Sequence, residues 1–102
     1  MQENSNPSSE KTMAIIDDMK TRLESHLTLL HFEVKDFTGR HLNHTLHEGG
    51  FHLEAVIVSD DFMSKNLVQR HRMIYKVMGK LMKHEIHALS MKTLTPDEWE
   101  KQ

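Results

Sequence analysis

The chain carries nine histidines and no cysteine in 102 residues. Imidazole is the commonest protein metal ligand and the side chain that titrates nearest neutral pH, so the surplus points to where chemistry would lie. His41, His44 and His47 fall in one stretch, and His87 stands apart near the C-terminus. Their spacing matches no zinc signature: there is no His-Glu-x-x-His and no cysteine pair. Without thiolates the chain alone forms no disulfide, cysteine nucleophile or thiolate-bound metal site. It can still furnish one or two imidazoles to a metal shared with another chain. His71 lies on an apolar helical stripe and reads as a partly buried structural residue, while His26, His31 and His84 read as surface positions.

Charge is the second signal. Between Ser64 and His84 stand six basic residues, Lys65, Arg70, Arg72, Lys76, Lys80 and Lys83, with no acidic one. The net charge of −2 hides this local asymmetry. Arg72, Lys76, Lys80 and Lys83 step by four, four and three, which places them on one helix face. Such a stripe meets phosphates or an acidic partner protein, or else is a solvated face whose long stems cover apolar surface.

Catalytic constellations are absent. Ser59 and Ser64 lack a base and an orienting acid, and Asp60-Asp61 reads as helix-start chemistry. The glycines Gly39, Gly49, Gly50 and Gly79 form no phosphate-cradling loop. No enzyme activity is expected.

The elements that must position these residues follow from periodicity. A polar tail over 1–12, expected to be flexible, precedes a domain over 13–102. Apolar residues at Ile16, Met19, Leu23, Leu27 and Leu30 predict an amphipathic helix. Alternation predicts strands over 31–36 and 51–58, and the long connection of 37–50 between them holds the three clustered histidines. A helix over about 66–82, with Leu67, His71, Ile74, Met78 and Leu81 inward, leads to a strand over 86–93 with Leu89 and Met91 on one face. Thr95-Pro96-Asp97-Glu98 then starts a short last helix that Trp99 folds back onto the domain. The class is α+β in the order α-β-β-α-β-α. No apolar run approaches the roughly 20 residues that span a bilayer. No membrane partner is expected, and the N-terminus lacks the pattern of a signal peptide. The chain reads as cytoplasmic.

Arg70-His71-Arg72-Met73-Ile74-Tyr75 closely resembles the signature of the BolA family. Val56-Ile57-Val58-Ser59-Asp60-Asp61-Phe62 is similar to the family's second strand and turn. Ile86-His87-Ala88-Leu89-Ser90 and Thr95-Pro96-Asp97-Glu98-Trp99 are similar to its final strand and helix. The resemblance covers roughly 19–101 and implies a class II KH-like fold, a three-stranded sheet with helices on one face. It also implies a partner, a monothiol glutaredoxin with a Cys-Gly-Phe-Ser motif, and a [2Fe–2S] cluster shared with it and with glutathione. No cofactor is expected in the isolated chain, which would be a monomer or weak homodimer.

In that likeness the C-terminal ligand histidine matches His87. The loop ligand best matches His41, which follows Arg40, with His44 and His47 as rivals. The loop departs from the family pattern in having no proline and in ending Gly49-Gly50-Phe51-His52, where His52 is expected to be structural. Imidazole ligation of one iron is the Rieske arrangement, which raises the reduction potential. Imidazole ligates only when neutral, so cluster retention should fall as pH drops toward about 6. BolA-like proteins also imply an alternative, a DNA-binding transcriptional regulator in which 59–83 acts like a helix-turn-helix with its basic stripe on phosphate. The chain lacks the Gly-x-x-Gly loop by which KH domains grip nucleic acid.

Overall fold

The computed structural model describes residues 7–36, 51–84 and 86–102. In chain order they form α1 (Pro7–His26), β1 (Leu29–Asp36), β2 (Phe51–Ser59), a 3-10 turn (Asp60–Phe62), α2 (Leu67–Met78), α3 (Lys80–His84), β3 (Ile86–Leu94) and α4 (Pro96–Glu100). The expected order is present with one division. The helix anticipated over 66–82 is two helices, because Gly79 ends α2 at φ 53°, ψ −122°, a conformation that side chains with a Cβ avoid. Arg22 of α1 closes that end by donating from Nη1 to the Met78 carbonyl at 3.2 Å. At its start, α2 has a reciprocal cap in which the Gln69 N–H donates to Asn66 Oδ1 and the Asn66 N–H donates to Gln69 Oε1, both at 2.9 Å.

The strands form one mixed sheet in the order β1-β2-β3, with β1 antiparallel and β3 parallel to β2. The parallel pair is possible because α2 and α3 carry the chain back across one face. That face is the core: Ile15, Met19 and Leu23 of α1, Leu27 just beyond its end, and Ile74, Met78 and Leu81 of α2 and α3 pack on Leu53, Ala55, Ile57, Ile86 and Leu89. Two of the inward stripes are re-phased from their sequence reading. In α1, Ile15 rather than Ile16 is buried, one helical step of four before Met19. Leu30 lies instead in β1, as the extra residue of a register shift between Leu29 and His31, and is 53% exposed. In α2, Arg70 takes the inner position of the first turn while Leu67 is 61% exposed.

α1 starts at Pro7, inside the stretch read as a tail. Thr12 is buried and its hydroxyl donates to Asp36 at 2.6 Å, so the packed structure reaches back beyond Met13. Three helices cover the Phe32 face of the sheet. The fourth lies at the Ser59–Leu94 end of the sheet, where Trp99 stacks on His31 at 4.5 Å between ring centroids.

Candidate functional site

Strand pairing fixes which chemistry-bearing residues meet. β1 ends at Asp36 and β2 begins at Phe51, and their antiparallel pairing puts both ends of the 37–50 connection at one end of the sheet. β3 runs parallel to β2 and starts at that same end, with Ile86 opposite Phe51. The register then slips: Phe51 pairs with Ile86, but His52 pairs with Ala88. His87 is the extra residue, an interruption of the ladder of the kind that commonly flanks functional sites. The burial pattern records the same slip. Ile86 and Leu89 are both buried, a spacing of three that unbroken alternation would not allow. His41, His44 and His47 lie outside the described residues, as does the rest of the 37–50 connection. His52 is half-buried on β2, opposite Ala88. Among the described residues, no cluster of three or more His, Cys, Asp or Glu is arranged to hold a metal ion.

The basic residues separate into two groups. Lys65, Arg72, Lys76, Lys80 and Lys83 are exposed, and none takes part in an ion pair among the described residues. The break at Gly79 puts Lys80 and Lys83 on α3, so the single stripe expected through all four residues is interrupted after Lys76. Arg70 is 8% exposed and is turned inward. It donates to the Lys65 carbonyl at 2.9 Å, the Thr93 carbonyl at 2.8 Å and Glu98 Oε1 at 2.8 Å, and its guanidinium lies 5.8 Å from the centre of the Phe62 ring. Its hydrogen-bonding capacity is occupied in holding α2, β3 and α4 together, so it does not stand with the exposed cations as a docking group.

Glu98 has two roles at once. It receives Arg70, and it completes the α4 capping box by accepting from the Thr95 N–H at 2.9 Å while its own N–H donates to Thr95 Oγ1 at 3.2 Å. Hydrogen bonding from Arg70, then from the Thr95 backbone, holds its carboxyl well down, at about 2. The sequence flagged Thr95–Glu98 as a helix start but gave no sign that Arg70 would meet it. Of the other histidines, His26 is exposed and donates from Nδ1 to the Arg22 carbonyl at 2.9 Å, and His31 has Glu33 Oε1 3.2 Å from Nε2. His71 is half-buried on α2.

A protein-family model described as BolA-like protein matches residues 23–98, spanning both the α2 signature and the Thr95–Glu98 box. The chain belongs to the BolA family. The DNA-binding transcriptional regulator BolA of Haemophilus influenzae is 42% identical over 62 residues, covering 61% of this chain and 60% of that protein. The protein of the same name from Escherichia coli is 33% identical over 88 residues, 86% of this chain and 82% of that one. SufE-like protein 1 of Arabidopsis thaliana matches at 36% identity, but over only 23% of its own length. Its solved BolA domain superposes with a TM-score of 0.71 at 37% identity, covering 81% of this chain and 93% of that domain. The three-stranded mixed sheet with its helices is therefore the BolA fold. No helix among the described residues is long and apolar enough to cross a membrane.

Proposed function

We propose that this BolA-family chain is a non-catalytic cytoplasmic adaptor that binds a monothiol glutaredoxin and shares a [2Fe–2S] cluster with it, in the assembly, trafficking or sensing of iron. The observation that carries the reading is the position of His87. It is the extra residue at the sheet end from which the histidine-bearing 37–50 connection leaves and to which it returns. The donor set suits a shared group and not a resident one. With no cysteine in the chain, it could supply one iron with His87 and one imidazole of His41, His44 or His47, leaving the other iron to the partner's cysteine and glutathione. So bound, the cluster would supply one-electron chemistry at a potential raised by nitrogen ligation. The test is to mix the chain with cluster-loaded monothiol glutaredoxin and record visible circular dichroism. His87→Ala should abolish the histidine-ligated signature; an unchanged spectrum would remove His87 from the site.

A second reading, a DNA-binding regulator, is favoured by two observations: two relatives similar in sequence are named as such regulators, and α2 exposes Arg72 and Lys76. Here 59–83 consists of a 3-10 turn, the 12-residue α2 and the five-residue α3, so α2 would lack a full-length partner helix. Titration with duplex DNA at two salt concentrations decides. Binding lost at the higher salt marks general phosphate attraction, whereas sequence-selective binding that survives it would put this reading first.

A further inference from the structure

Among the described residues, four of the six exposed large apolar side chains lie in one stretch, the other two being Met13 of α1 and Leu30 of β1. Met63 is 57% exposed, Leu67 61%, Val68 58% and Tyr75 44%, all within or just before α2. Steps of four and three put Val68, Arg72 and Tyr75 on one helix face, flanked by Leu67 and Lys76. Lys65, Arg72 and Lys76 are exposed among them, and no acidic residue occurs between Phe62 and His84. The carboxylates just before this stretch are Asp60, which is exposed, and Asp61, which is bonded to the Thr28 N–H at 2.7 Å and the Ser59 hydroxyl at 3.1 Å. Apolar groups clustered on the surface and rimmed by cations mark a contact site for a partner or a membrane.

We propose that the outer face of α2 is a peripheral contact for an anionic lipid surface, with Leu67, Val68 and Met63 entering the headgroup layer and Lys65, Arg72 and Lys76 meeting the phosphates. Tyr75 has the amphipathic ring that favours this depth. The pattern suits nucleic acid less well. The Asn66 and Gln69 side chains that flank the first turn are tied up in the capping box, and the residues exposed there, Leu67 and Val68, carry no side-chain donor for a base edge. A protein would need a complementary surface, whereas a bilayer moulds itself to a convex helix. The concavity of about 350 Å³ lined by Glu33, Lys35, Glu54, Val56, Ser90 and Lys92 belongs to the other side of the sheet. A peripheral contact requires no spanning segment. It therefore revises the expectation that no membrane takes part, which the sequence supported only against spanning. It is independent of the cluster reading.

The experiment is vesicle co-sedimentation of the chain alone, without glutaredoxin or cluster. It uses vesicles of phosphatidylcholine and of equal parts phosphatidylcholine and phosphatidylglycerol. We expect binding to the anionic vesicles only, weakened by salt. Leu67→Ser/Val68→Ser and, separately, Arg72→Glu/Lys76→Glu should each reduce it by at least about tenfold. All four positions are exposed, and Trp99 emission with far-ultraviolet circular dichroism checks that the variants stay folded. No binding to anionic vesicles would overturn the proposal. So would full binding by the Leu67/Val68 variant, which would reduce the contact to charge adsorption, or a matching loss of duplex-DNA affinity in that variant, which would make the face a DNA contact.

Discussion

At the scale of single residues, two side chains carry most of the account, and they differ in how visible they were. His87 stands out by type in a chain without cysteine, but its role as a ligand is what the BolA resemblance implies and not what its spacing shows. Its bulge shows only in the fold, through the burial of Ile86 and Leu89, three apart where alternation requires an even spacing. The sequence groups Arg70 with the basic residues available to a partner or nucleic acid, since a charged residue on an amphipathic helix is normally solvated. Its burial depends on Glu98, 28 residues away, and on the Thr93 and Lys65 carbonyls, none of which local periodicity can register. Arg70→Ala would leave those two carbonyls without their donor. It should destabilise the fold by about 2–3 kcal/mol, seen as a lower urea midpoint with an unchanged slope. Arg72→Ala, on the exposed side of the same helix, should change stability by no more than about 0.5 kcal/mol.

At the scale of elements, strands and helices followed the hydrophobic pattern, and the departures come from tertiary contacts. The division of the second helix had a local signal in Gly79, which an otherwise helical pattern masked. Since the residue holds φ 53°, Gly79→Ala should cost about 1–3 kcal/mol, measurable by thermal or urea unfolding. A Cβ there would meet only Arg22 Nη1 at 3.6 Å and the Lys76 carbonyl at 3.9 Å, ordinary contacts, so the cost would be conformational and not steric. The docking of α4 has its own dependence on acid. Glu98 is held down to about 2 from an ordinary 4.5, so its contribution is complete above the ordinary value and disappears as pH falls from there toward about 2. Trp99, the chain's one tryptophan, stacks on His31 and reports the change. Its emission should alter over that acid interval in the native chain and lose the transition in Glu98→Gln.

At the scale of the whole molecule, the sheet divides the labour. One end gathers the His87 bulge and both ends of the histidine-bearing connection, α2 presents exposed cations and apolar groups, and α4 secures the opposite end of the sheet. The run of bases between Ser64 and His84 foretold the charge asymmetry, but the inward turn of Arg70 and the break after Met78 change what the surface offers. Attraction between α2 and any acidic partner should weaken as salt rises, while ligation of iron by nitrogen should not, so the two contributions separate in a salt titration of the mixed complex.

The most direct test of the central reading asks whether nitrogen of this chain binds the iron. The chain is labelled with ¹⁵N at histidine only, combined with an unlabelled, cluster-loaded monothiol glutaredoxin, reduced, and measured by pulsed electron paramagnetic resonance. We expect strong ¹⁵N couplings of directly ligated imidazole, lost in His87→Ala. A mixed cluster whose couplings show no labelled histidine would contradict the reading outright.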